Sequence, residues 1–215
     1  MATRRSERQR AVGDHKRGLI LDAAREVFAA EGLEGASLRA IAARAGYTPA
    51  ALYFHFESKE AIYAEVLQDS LAALGRYVGE AIAVAQGAEA GLRAAATAFF
   101  HFYAKNPRDL DLGFYLFRGG MRPKGLGRER DEALNGSLEA ALRPIADAAQ
   151  ALGASRSEAE LLMVDTFAHA TGLLLLLHTG RIRMFGASAA ERMGAYVDGR
   201  VDQLTRGQPD AGHRS

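Results

Sequence analysis

The stretch Ser37–Lys59, SLRAIAARAGYTPAALYFHFESK, constrains this chain more tightly than any other part of its 215 residues. Leu38, Ile41, Ala42 and Ala45 fall at i, i+3, i+4 and i+7, one apolar face of a short helix. Ser37 stands where a side-chain oxygen accepts from the orphan N–H groups of that helix. Gly46 then offers the left-handed conformation that ends a helix. Thr48 caps a second helix, and Pro49 fits its first turn, where a missing N–H costs nothing. Ala50 and Ala51 are small, so the backbone of this second helix can lie close to whatever it faces. It ends in an aromatic and basic cluster, Tyr53, Phe54, His55, Phe56 and Lys59. Two short helices around a tight turn make a helix-turn-helix, and the second helix of such a unit enters a DNA major groove.

The segment ahead completes the unit. From about His15 to Glu31, Ile20, Ala23, Ala24, Val27 and Phe28 form an amphipathic stripe. Gly32 is the expected stop, with Leu33 tucked back. Three helices around Ile20, Val27, Phe28, Leu38, Ile41, Leu52 and Phe56 make a compact apolar core.

The pattern G-x-x-x-x-S-L-R-x-I-A-x-x-A-G-x-T-x-x-x-L-Y-x-H-F-x-S-K-E-x-I, from Gly32 to Ile62, resembles the DNA-binding domain of TetR/AcrR-type bacterial repressors. The resemblance covers the N-terminal part of the chain only. It implies phosphate contacts from Ser37, Tyr53, His55 and Lys59, and a base-edge contact from Arg39 through its bidentate fork. It places Thr48, Pro49, Ala50 and Ala51 on the face toward the bases. Small or apolar residues stand here where relatives often carry Gln, Lys or Thr. Few direct base readers remain, and shape readout carries more of the specificity. Tyr53→Ala and Lys59→Ala are expected to lose DNA affinity with folding and dimerisation intact. Phe56 reads as a core aromatic.

The formal net charge is only +1, so bulk charge does not make this a polyanion binder. The charge is uneven, however. Arg4, Arg5, Arg8, Arg10, Lys16 and Arg17 crowd the first residues, against Glu7 and Asp14. Residues 1–14 are read as a basic disordered arm, either a solvated tail or a reach toward the minor groove. The chain has no cysteine, which excludes disulfides and thiol catalysis. No H-E-x-x-H, G-x-S-x-G or phosphate-cradling loop is present, so no enzyme, metal site or cofactor is expected. No apolar stretch follows the basic N-terminus, which argues against a signal peptide. The run Leu173–Leu177 is flanked by Asp165, His169 and His178, leaving it short of the ~20 residues of a membrane span. A cytoplasmic location is the expectation that fits these features.

The remainder reads as helices: about 58–85, 87–105, 108–117, 129–152 with a bend near Pro144, 155–179 and 188–205. A Gly/Pro-rich basic loop, Gly119–Arg130, interrupts them, and the tail 207–215 reads as disordered. The fold class is all-α: a helix-turn-helix domain over 15–60 and a helical effector-binding and dimerisation domain over 61–206. The segment Leu161–His178 is apolar on more than one face, and with 188–205 it is expected to pair with its copy. Phe100, Tyr103, Phe114, Tyr115, Phe117, Met163, Phe167 and His169 supply an apolar palette with a few polar groups, suited to a hydrophobic or aromatic effector. Plain core packing is the competing reading for each, and for His169 the leading one. The expected function is a ligand-responsive regulator, most simply a repressor released from a palindromic DNA operator by a small molecule. The alternatives are a DNA-binding regulator without effector, or a helical enzyme.

Overall fold

A computed structural model of the chain describes residues 4–113 and 125–206. Every regular element among them is a helix. They are α1 (Arg4–Gly35), α2 (Leu38–Ala45), α3 (Pro49–Tyr53), α4 (Lys59–Ala83), α5 (Ala88–Lys105), α6 (Pro107–Gly113), α7 (Arg128–Ala151), α8 (Arg156–His178) and α9 (Ala189–Arg206), with a 3-10 turn at Arg181–Phe185. The all-α expectation holds.

The chain divides into two compact units, residues 1–70 with 108–135, and residues 71–107 with 136–215. The division differs from a boundary at residue 60. The first turns of α4 belong to the first unit, because Ile62, Tyr63, Val66 and Leu67 are buried in it. The Tyr63 ring meets Phe28 edge-on at 4.6 Å, and its hydroxyl donates to the Leu112 carbonyl at 2.8 Å. A sequence window sees neither contact. The second unit packs α5, α8 and α9 together around Phe99, Phe100, Leu173, Leu174, Met193 and Val197.

α1 begins at Arg4, so the disordered arm expected over 1–14 is helical from that point. Arg, Glu, Gln and Ala there are good helix formers and no proline intervenes, so a high charge density is compatible with a helix. Val12 and Leu19, 54% and 42% exposed, rest on no core. The 3-10 turn was not expected. The tail 207–215 and the effector candidates Phe114, Tyr115 and Phe117 lie outside the described residues.

α8 is long and apolar enough by length and composition to cross a membrane, with a mean hydropathy of 1.5 in its best window. That corrects the reading that this stretch falls short of a span. It docks in its unit through Ala159, Thr166, Ala170, Leu173 and Leu174, but only 22% of the window is buried. Ser155 starts it with a full capping box, its hydroxyl accepting from Glu158 while the Glu158 carboxylate accepts from the Ser155 N–H at 2.9 Å. The Ser155 hydroxyl, donating to that carboxylate at 2.6 Å, and then the Ser155 N–H hold the Glu158 carboxyl below its ordinary pKa.

Candidate nucleic-acid interface

The three N-terminal helices meet on Ile20, Phe28, Ile41, Leu52 and Phe56, all at most 3% exposed. Leu38 is half-buried. The stops fall where the turn chemistry puts them. Gly32 leaves helical geometry at φ 70, ψ 177. Ser37 caps α2, accepting from the Ala40 N–H at 3.1 Å. Gly46 closes α2 in the left-handed region at φ 74, and the Tyr47 N–H returns to the Ala42 carbonyl at 2.9 Å. Thr48 caps α3 by accepting from Ala51 at 3.3 Å, with Pro49 at its start. Both caps use a hydroxyl oxygen as acceptor, and each keeps its O–H as a donor on an exposed residue.

Arg17 locks the unit. Its guanidinium donates to Glu65 at 3.0 Å and to the His55 carbonyl at 3.0 Å, and lies 4.3 Å over the Phe56 ring. One side chain thus ties α1, the end of α3 and α4. Arg44 pairs with Glu26, fastening α2 to α1. Arg39 makes no ion pair or hydrogen bond among the described residues and is exposed. Its fork is available to a partner, whereas those of Arg17 and Arg44 are occupied.

Thr48, Pro49, Ala50 and Tyr53 lie exposed along α3, with Ala51 and His55 half-buried. Tyr53 is 61% exposed and Phe54 89%. Phe54 is a residue that sequence reasoning left out of the site. Its signal is spacing: Leu52 and Phe56 take the core positions, and Phe54 falls between them.

Lys59 is placed differently from a free phosphate ligand. Its ammonium donates to the carbonyls of Leu33, Glu34 and Ala36 at 2.8, 3.4 and 3.2 Å. Those three bonds use its three donors, and they satisfy the carbonyls where α1 ends. Nothing in the local sequence pairs residue 59 with residues 33–36.

A cleft of about 590 Å³ lies beside α3, lined by Tyr53, Phe54, His55, Glu57, Glu65, Gln68, Arg130 and Leu134 among others. Arg130 pairs with Glu57 on its rim. None of the described residues predicted to bind an effector lines it. Those residues separate in the second unit. Phe100 and Tyr103 are 1% and 5% exposed in α5. Phe167, one turn beyond the half-buried Met163, meets Phe99 edge-on at 5.2 Å. His169 points to α9 instead, stacked on Tyr196 at 4.1 Å. Burial holds the His169 ring below the ordinary pKa of 6.5; a hydrogen bond with the Arg192 backbone opposes this, and the Arg200 charge adds to it. Among the described residues no cluster could hold a metal ion.

A capped helix-turn-helix with an exposed second helix and a free arginine at its flank has the architecture of a DNA-binding domain. Residues 20–66 match the family model for bacterial regulatory proteins of the tetR family. The chain is 39% identical over 110 residues to the HTH-type transcriptional activator FasR of Mycolicibacterium smegmatis, a match covering 47% of this chain and 50% of that protein. It is 28% identical over 159 residues to the transcriptional repressor NicS of Pseudomonas putida, 74% of each chain. The match therefore spans about half the length of FasR. The fold of the transcriptional regulator FadR from Bacillus subtilis, solved in complex with stearoyl-CoA, superposes with a TM-score of 0.63 at 18% identity, covering 89% of this chain and 98% of that one. Residues 20–66 are thus a helix-turn-helix domain of the tetR-family type.

Proposed function

We propose that the chain is a dimeric transcriptional repressor, acting in the cytoplasm, that leaves a palindromic DNA operator when a small hydrophobic molecule binds. The observation that carries this reading is the open face of α2–α3. Arg39, Thr48, Pro49, Ala50 and Tyr53 are exposed together, and Ser37 and Thr48 keep hydroxyl donors for phosphates. In the docked complex Arg39 reaches a guanine edge, the Pro49–Ala51 backbone runs close to the bases, and Ser37, Tyr53 and His55 hold phosphates.

Two copies are needed because one α3 reads only a half-site. The outer side of α8 supports pairing, with Leu161, Val164 and Leu175 at least 55% exposed. The effector is hydrophobic or aromatic, bound in the second unit near Phe100, Tyr103, Met163 and Phe167; FadR's ligand, stearoyl-CoA, is one probe of that class. α4 is continuous from the first unit to the second, and is the covalent path for coupling. Effector binding weakens DNA affinity by the factor that DNA weakens effector affinity.

The test is selection of genomic fragments by the purified full chain, then a salt titration on the best fragment. An enriched palindrome with steep salt dependence is the expected result. Recovery of no preferred sequence overturns the reading. If an operator is found but neither acyl-CoA nor aromatic probes release it, the regulator works without such an effector.

A further inference from the structure

The cleft beside α3 is lined by residues of the first unit alone. Two of its walls are helix faces. Ala61, Ala64, Glu65 and Gln68 recur at i, i+3, i+4 and i+7 on α4, and Arg130, Ala133 and Leu134 at i, i+3 and i+4 on α7. Three of those seven positions are alanine, and the short side chains leave the space open. Its volume, about 590 Å³, falls in the range of small-molecule sites. Residues 53–57, from the end of α3 toward α4, complete the lining.

The chemistry of the lining suits a cation. The exposed rings of Tyr53 and Phe54 make no ring or cation contact among the described residues. An aromatic face carries the negative part of the ring quadrupole and attracts ammonium and guanidinium groups. The cleft already holds one such contact: the Arg17 guanidinium lies over the Phe56 ring and bonds Glu65. Glu57 meets Arg130 through Oε1, and its Oε2 has no partner among the described residues. Both nearby arginines are engaged, Arg17 by Glu65 and the His55 carbonyl, Arg130 by Glu57 and the Leu126 carbonyl at 3.2 Å. An anion entering here would meet two carboxylates and two arginines already paired.

We propose that this cleft is a second small-molecule site, and that its ligand is an organic cation, an alkylated or aromatic ammonium ion. The ammonium group sits over the Tyr53 and Phe54 rings with Glu57 Oε2 as its counter-charge. The apolar part lies along Ala61, Ala64, Ala133 and Leu134. Such a ligand differs in place and in charge from the hydrophobic effector assigned to the second unit. It also uses Tyr53 and His55, which face DNA. Cation and DNA therefore exclude one another by competing for the same side chains, with no change required in the second unit. That consequence rests on the DNA face named under Proposed function; the binding of the cation does not.

The full-length protein is titrated by ligand-observed NMR with benzyltrimethylammonium, with uncharged N,N-dimethylbenzamide of similar size, and with benzoate. The ammonium ion should bind saturably and at least about threefold more tightly than the amide, with benzoate weakest. Glu57→Gln removes the counter-charge and Ala133→Leu fills the space. Both positions are exposed, so the fold tolerates the changes. Each should weaken binding of the ammonium ion at least about threefold. On the best genomic DNA fragment, the ammonium ion should raise the Kd of the wild-type chain for DNA. It should do so less for Ala133→Leu, a comparison that also subtracts the ordinary salt effect of the ion. No saturable binding, equal binding of the amide, or binding untouched by both substitutions overturns the site. A cation that binds in the cleft while DNA affinity stays the same overturns the exclusion. A chain that binds no DNA fails the reading under Proposed function, and the ligand titrations alone then decide the cleft.

Discussion

At the scale of single residues, the cations of the N-terminal unit divide by what their donors already do. Lys59 holds three carbonyls at the end of α1. Lys59→Met should therefore lower Tm, by the equivalent of about 1 kcal/mol for leaving part-buried acceptors unpaired. Thermal unfolding decides this: an unchanged Tm with lost DNA binding would make Lys59 a phosphate ligand and nothing more. Tyr53 and Arg39 are the opposite case, exposed and outside the core. Tyr53→Ala should leave Tm within about 1 °C and weaken operator binding by roughly 1.5–3 kcal/mol, the value of a hydrogen bond to a charged group. Arg39→Ala should cost about 1–3 kcal/mol and relax preference at one base position. Fluorescence anisotropy on the operator and on single-base variants of it reads both. Equal losses on every sequence would move Arg39 from base reader to phosphate contact.

At the scale of the helices, stability rests on a few backbone devices and on packing between distant turns. Gly32 sits at φ 70, ψ 177, a region open almost only to glycine. Gly32→Ala should destabilise by roughly 1–3 kcal/mol, and chemical denaturation of the full chain measures it. The α8–α9 contact adds a pH dependence. Burial lowers the pKa of His169, so the unfolded chain takes up the proton first. The stability held by its neutral ring is complete above 6.5 and is lost as pH falls through the depressed folded value. His169→Phe keeps a ring against Tyr196 and should flatten the fall in stability below pH 6.5; His101, also lowered by burial, keeps its own share. A slope unchanged by the substitution would show that the ring charges without cost. These helices were legible to different degrees. Ser37, Gly46, Thr48 and Ser155 act within four residues of themselves, so the stops and starts they set could be read from the chain. Arg17 works through Glu65 and Lys59 through residues 33–36, and no local pattern carries such links. Phe167 and His169 are two residues apart on one helix and therefore face different neighbours, which a list of suitable residue types cannot register. The helical start at Arg4 was not legible either, because a dense run of charges reads as a disordered arm by composition alone.

At the scale of the whole molecule, the DNA face and the α8 face are separate surfaces whose effects must meet in binding. A monomer presents one α2–α3 face and a dimer presents two, so the number of phosphates neutralised per binding event should double on pairing. Each neutralised phosphate contributes about −0.9 to the slope of log affinity against log salt. Leu161→Glu with Leu175→Glu places charge in the α8 stripe and leaves Ser37, Arg39, Tyr53 and His55 untouched. The variant should bind the operator at least about tenfold more weakly at low protein concentration, because each copy now binds its half-site alone. Its salt slope should fall toward half the wild-type value. Tyr53→Ala should behave otherwise, losing affinity and about one contact per half-site while remaining dimeric. Anisotropy titrations over a range of salt, with sedimentation on the same samples, separate the two classes of variant. If the α8 variant became monomeric and yet kept the wild-type slope, a single copy would already make every phosphate contact, and the two-fold reading of the operator would have to be given up.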